Sequence, residues 1–324
     1  MHGKVTIVMY HYVRDLACSR YPDIKGLDSA LFKAQIAYLD RHYRFVSMEE
    51  LMDALDGRGT LPDKAVLLTF DDAYIDHFLQ VFPILNEHGI PAAFYTPVRA
   101  IREHVVLDVN KIHFILAAEP DKSRIIDLLK VIISRYRTSH DLEDDDEYFR
   151  RLAKPGRYDG PEVVYIKRLL QRELPEVVRH DIVNELFAEV VGVEESTFSR
   201  ELYMNKDQLG CLIRAGMHVG NHGYDHYWLD HLDPFAQRQD IQRACEFLEE
   251  IGVSLDRWTM CYPYGAHDSS VRRVLTEMNC RLALTTEVAI ADIATHDRLA
   301  LPRLNTNDLP KAWDADVNCW YALG

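Results

Sequence analysis

Two adjacent carboxylates, Asp71 and Asp72, close the apolar run Leu67-Leu68-Thr69-Phe70. In an α/β fold, ligands collect at the carboxyl ends of strands. Neighbouring carboxylates there repel each other unless a cation or a proton separates their roles. The pair predicts a division of labour in which one aspartate ligates a metal and the other moves protons. A polar loop that happens to hold two aspartates is the plain alternative.

Far downstream, a short strand pattern at Met217 runs out into Gly220-Asn221-His222-Gly223-Tyr224-Asp225-His226. At a spacing of four on one helical turn, His222 and His226 face the same way and can take one ion. With one aspartate they make a two-His, one-carboxylate set that leaves positions open for water and substrate. The same spacing also suits an ordinary surface helix. His218 precedes the strand end and is expected to face neighbouring structure. His231 and Asp233 form a His-x-Asp pattern compatible with non-haem iron, although Leu232-Asp233-Pro234 reads as a helix start. A third segment, Met260-Cys261-Tyr262-Pro263-Tyr264-Gly265, follows another apolar strand pattern. Pro263 and Gly265 bracket Tyr264 in a turn that can aim a backbone N–H and an aromatic wall at a ligand.

In chain order, Thr69 to Asp72, His222 to His226 and Cys261 to Tyr264 resemble three motifs of the polysaccharide deacetylase family. These are Thr-Phe-Asp-Asp, His-(Ser/Thr)-x-x-His and Arg-x-Pro-Tyr of the family-four carbohydrate esterases with nodulation-protein B homology. The resemblance implies that Asp71 is a general base and that Asp72, His222 and His226 bind one divalent metal. Zn²⁺ is the first choice, with Co²⁺, Ni²⁺ or Mn²⁺ as alternatives. Tyr264 corresponds to the residue whose backbone N–H steadies the oxyanion. The implied reaction hydrolyses the N-acetyl group of an amino sugar, in a surface glycan or a sugar precursor, to free amine and acetate.

Three positions depart from that pattern. Gly223 replaces the usual hydroxyl residue, so one supporting hydrogen bond is missing or comes from elsewhere. Cys261 occupies the place of the arginine that orients the base, and Arg303, in Leu301-Pro302-Arg303, is the best-placed substitute. A guanidinium can hold a carboxylate through two parallel hydrogen bonds. The usual Leu-x-x-His motif, which supplies the acid, is not evident after Tyr264. His11, at the end of Val5-Thr6-Ile7-Val8-Met9-Tyr10, is the candidate acid. That arrangement is similar to the circularly permuted deacetylases of biofilm poly-N-acetylglucosamine. First and last strands of a closed barrel are neighbours, so a motif moved between chain ends keeps its place in space. A hydrogen-bonded polar residue at a strand end is the plain reading of His11, and His296 is its rival as acid. Two other functions fit the same fold: a metal- or sugar-binding homologue without turnover, and an amidohydrolase acting on a small cyclic amide.

The elements that must position these residues read as strand-helix units. Strands are predicted at 4–10, 65–70, 92–96, 257–261 and 281–285. Ser47 and Glu50 make a capping box for a helix through Leu55. Asp28 or Ser29 starts a helix with Leu31, Phe32, Ile36 and Leu39 on its apolar face. Other helices start at Asn205 and at Asp233-Pro234, and one runs through Leu85 to a stop at Gly89. The predicted fold is α/β, a distorted barrel of about seven or eight strand-helix units. Residues 1–107 and 201–324 form the barrel, and 108–200 form an all-helical insertion over the active-site face. The acidic run 141–147 reads as a solvated helix start, with a cation-attracting rim as the alternative.

The 324 residues are 48% hydrophobic, enough for a large core, and carry a formal charge of −14. That charge argues against nucleic-acid binding, because no basic face is available to neutralise phosphates. No run approaches the roughly 18 apolar residues of a membrane span. No secretory signal pattern precedes the first strand. The six cysteines have neither metal-type nor redox-type spacing. A cytoplasmic protein with reduced thiols is the expectation.

Overall fold

The computed structural model describes residues 3–157 and 159–324. The chain divides into two compact units. One comprises Met1–Asp15, Gly26–His104 and Ser199–Gly324, and the other Leu16–Lys25 and Val105–Phe198.

The first unit is built on one sheet whose strands run in the order Ala291–Asp292, Lys4–Tyr10, Ala65–Phe70, Ala92–Thr96, His218–Asn221, Met260–Cys261, Ala283–Leu284. All neighbours along it are parallel except the first pair. Ala65–Phe70 is buried along its whole length, as expected of a parallel strand covered on both faces. Residues 301–305 close this sheet into a distorted barrel. Leu301 bridges to Leu284, and three residues on Leu304 pairs with Val8 of the first strand. Apolar side chains from successive strands, among them Ile7, Leu67, Ala93, Cys261 and Leu301, meet in one cluster.

Helix starts follow their caps. Ser47 and Glu50 form the capping box of Met48–Leu55, Asn205 caps Lys206–Arg214, and Asp233 caps Pro234–Glu250. Both N–H groups of that last cap fall on Asp233 Oδ1, which explains the His-x-Asp pattern without iron. His218 faces its neighbours, Glu49 at 2.9 Å and Thr259 at 2.8 Å.

Four expectations need correction. Leu31 is 44% exposed; the buried face of Ser29–His42 is instead Phe32, Gln35, Ile36, Tyr38 and Leu39. The helix before Gly89 opens with a π turn, His77–Val81, before Phe82–Glu87. The strand expected at 257–261 narrows to Met260–Cys261, after a 3₁₀ turn at Leu255–Arg257. His222 and His226 lie on no helix: the strand ends at Asn221 and both follow in loop.

The second unit is helical, with Asp108–Ala118, Lys122–Tyr136, Asp145–Leu152, Pro161–Arg168 and Glu176–Val190. The acidic run starts a helix, with Asp144 as its cap. Phe114 packs edge-on against Phe198 and Tyr21. No helix among the described residues is long and apolar enough to cross a membrane.

Candidate active site

Asp71 and Asp72 leave the carboxyl end of Ala65–Phe70, and the Asp71 N–H donates to Tyr10 O at 3.0 Å. His222 leaves the end of the next strand but one, its N–H on Thr96 O. These strand ends bring Asp72 Oδ1 to 3.4 Å from His222 Nε2 and 3.3 Å from His226 Nε2. One ligand atom from each residue lies within 4.8 Å of the others. His222 Nδ1 sits 2.7 Å from the Cys261 carbonyl. That carbonyl accepts from Nδ1–H and so fixes the ring with Nε2 towards Asp72.

The donor set fits a divalent cation. Beyond those two imidazoles, the buried Asp72 Oδ1 has no hydrogen bond among the described residues, an arrangement that calls for an explanation in a folded protein. Asp72 Oδ2 is taken by the Tyr74 hydroxyl at 2.6 Å, so a single oxygen is left to ligate. Burial works to raise the Asp72 carboxyl, but the two imidazoles outweigh it and hold the group well below the ordinary carboxylate range. Two nitrogens and one oxygen suit Zn²⁺ and its first-row neighbours.

Asp71 faces a different environment. Arg303 Nη1 donates to Oδ1 at 2.9 Å and Nη2 to Oδ2 at 2.8 Å, with both residues buried. Arg303 reaches this point because it sits in the segment that closes the barrel. Its Nε donates to Thr285 O, and Nη1 also donates to Thr69 Oγ1. The Cys261 thiol completes the cluster, 3.1 Å from Arg303 Nη2 and 3.4 Å from Asp71 Oδ2. Burial works to raise the Asp71 carboxyl, but Arg303, together with His222 and His11, more than offsets it, and the group is held at about 2.

His11 Nε2 lies 3.9 Å from Asp71 Oδ2, with the side chain 41% exposed. His77 Nε2 is 2.8 Å from the His11 carbonyl, beneath the site. His296 sits elsewhere, accepting the Asp292 N–H through Nδ1. Tyr264 stacks flat on Trp228, ring centroids 4.4 Å apart, and meets His226 edge-on at 4.8 Å.

Backbone strain gathers at the same place. Asp72, Ala73, His226 and Tyr264 all have positive φ, between 51° and 75°. Such values are uncommon outside glycine, although Asp and His tolerate them better than most. They cluster where a function requires them. Sequence reasoning does not reach Tyr74, His77 or Trp228; the only signal is their closeness in the chain to Asp72 or His226.

The polysaccharide deacetylase family model matches residues 58–132 and 186–283, more than half of the chain. The chain belongs to this family. The match takes in Asp71, Asp72, His222, His226 and Tyr264, whereas His11 and Arg303 fall outside it. Against the poly-beta-1,6-N-acetyl-D-glucosamine N-deacetylase of Escherichia coli K12, this deacetylase-family chain is 34% identical over 95 residues. That stretch is 29% of the chain and 14% of the relative, so the chain spans a small part of that protein's length.

Solved structures show the same fold over nearly the whole chain. A Streptococcus pyogenes deacetylase, PplD, in complex with acetate matches with a TM-score of 0.57 and 17% identity. That alignment covers 94% of this chain and 93% of PplD. IcaB from Ammonifex degensii matches at 0.55 and 20% identity, over 96% and 94% of the two chains.

Proposed function

We propose that this chain is a metal-dependent N-deacetylase that hydrolyses the acetamide of an N-acetylated amino sugar. One observation carries the reading. A buried Asp72 Oδ1, set between two imidazole Nε2 atoms and without a hydrogen bond among the described residues, lies beside a second aspartate gripped by a guanidinium. The first group is arranged to hold a cation and the second to stay ionised.

Asp72, His222 and His226 hold the metal, with Zn²⁺ the first choice. When bound there, the ion supplies Lewis-acid polarisation and acidifies water towards a pKa of about 7. Asp71 takes the proton from the attacking water. Arg303 keeps that carboxylate charged and fixes its plane, so the proton is received at a defined oxygen. The Tyr264 backbone N–H steadies the oxyanion of the tetrahedral intermediate, a contribution typically worth on the order of 10²–10³ in rate. His11, exposed enough to meet substrate, protonates the leaving amine. Base and acid differ in chemical type, which suits opposite proton transfers at one carbonyl. Attack and breakdown give the free amine and acetate.

Family membership and the name of one relative, a poly-β-1,6-N-acetylglucosamine deacetylase, support this substrate class. The test is acetate release from N-acetylated glucosamine oligomers, nucleotide-linked amino sugars and lipid-linked precursors, with metal-loaded protein. Release from any of them at a rate abolished by Asp71→Asn supports the proposal. Ammonia or a ring-opened acid as product would favour a cyclic amidohydrolase. Metal binding with no acetate from any substrate would favour a non-hydrolysing homologue.

A further inference from the structure

The loop between the two histidines lacks the help of a helix. Gly223 and His226 both have positive φ, 76° and 58°, so the backbone polar groups between them must be satisfied from outside. The Gly223 N–H donates to Asn221 Oδ1 at 2.7 Å. The Gly223 and Tyr224 carbonyls accept from the Val98 and Arg99 N–H groups. The remaining two N–H groups, of Tyr224 and Asp225, fall on one carboxylate. Asp240 Oδ2 accepts from Tyr224 and Oδ1 from Asp225, each at 2.9 Å.

Asp240 comes from Pro234–Glu250 and is buried. A β-carbon at Gly223 would lie 2.9 Å from Asp240 Oδ2, so the carboxylate occupies the space that a side chain at this position would need. Outside the loop, Arg243 lies over the Tyr224 ring at 3.4 Å, and Arg99 pairs with Asp225 at 3.1 Å.

We infer that Asp240 is a positioning residue for the candidate metal centre, clamping the loop so that His222 Nε2 and His226 Nε2 converge on Asp72. The inference rests on the metal-site reading above. Two features make the clamp specific. The two N–H groups fall on different oxygens of Asp240, so a carboxamide held in the same place turns an NH₂ donor against one of them. The clamp acts on the backbone of Tyr224 and Asp225, two of the three residues that set the spacing between the imidazoles. Partners that orient metal ligands typically affect affinity 10- to 100-fold when lost. Burial pushes the Asp240 carboxyl up to about 6, with the two backbone N–H groups working against that rise. The acceptor form therefore predominates at neutral pH.

The test is Co²⁺ titration of metal-free protein, read by visible absorption, on wild type, Asp240→Asn and His222→Ala/His226→Ala. Circular dichroism first establishes that each variant is folded. Expected are one tight site in wild type, none in the double variant, and a 10- to 100-fold weaker site in Asp240→Asn. Equal affinity in wild type and folded Asp240→Asn overturns the role of Asp240 alone. No binding in wild type overturns the metal-site reading and the clamp with it. Should Asp240→Asn fail to fold, Asp240→Glu serves, because it keeps the charge but moves the carboxylate one methylene away from the two N–H groups. A loss of at least fivefold there supports the clamp, and a smaller loss overturns it.

Discussion

Arg303 holds both carboxylate oxygens of Asp71 in a buried two-bond grip, from a segment 232 residues away in the chain. The Asp71 carboxyl, ordinarily near 3.8, is held at about 2. A depressed carboxylate contributes stability above its unfolded pKa and loses it as pH falls through its folded one. Asp71 is therefore ionised at every working pH. Replacing Arg303 by Met leaves a buried charge unpaired, at a cost of roughly 3–5 kcal/mol. It also removes the strongest influence opposing burial, so the Asp71 carboxyl rises and the acid limb of kcat/KM moves to higher pH. Arg303→Lys keeps the charge but loses the fork, and roughly tenfold or more in kcat is the expected loss. A Met variant with an unshifted acid limb would remove Arg303 from the catalytic apparatus.

The two aspartates separate by readout. Asp71→Asn is expected to retain metal by elemental analysis while turnover falls by at least about 10³, within the range for loss of an acid-base group. Asp72→Asn is expected to lose the metal itself. Dialysis of wild type against a chelator reproduces the second phenotype, with activity restored on adding Zn²⁺. If Asp71→Asn keeps near wild-type kcat, the proton acceptor is another group.

His11 is tested by leaving-group dependence. A departing amine needs a proton, and an activated ester's leaving group needs little help. His11→Ala is expected to lose on the order of 10²-fold with an acetamide and much less with an activated acetyl ester. Equal losses on both substrates would assign His11 a different task.

His77 gives a stability signature. Burial drives its imidazole from an ordinary 6.5 down to about 4, so between those values the unfolded chain binds the extra proton. Stability is fully present above 6.5 and lost as pH falls towards 4, by up to roughly 3 kcal/mol from this group. Urea midpoints between pH 7.5 and 4.5 should fall more steeply for wild type than for His77→Gln, which can still donate to the His11 carbonyl. Parallel slopes would contradict the assignment.

The strands were the most legible part of the fold. Lys4–Tyr10, Ala65–Phe70 and Ala92–Thr96 stand out as short apolar runs that end in polar residues. Caps were legible for the same local reason. The histidine loop was not, because a spacing of four favours a helix until Gly223 and Asp240 are considered together. Leu31 was misread because Gln35 takes the buried face, with partners at Tyr10, Thr306 and Leu309 that no local pattern reveals. At Asp71, the cysteine at position 261 implies that another cation holds the carboxylate, and Arg303 is that cation. The Tyr74 hydroxyl on Asp72 had no such cue, since a tyrosine there reads equally as core.

The Cys261–Arg303 contact also constrains the order in which substitutions can be accepted. Moving the guanidinium between the two positions requires a chain with both arginines or with neither. With both, two cations crowd one carboxylate where Nη2 and Sγ are already 3.1 Å apart. With neither, a buried aspartate stands alone. Both intermediates are costly, so a chain that has made the exchange has little opportunity to reverse it one residue at a time. Among descendants, the pair is expected to be inherited together.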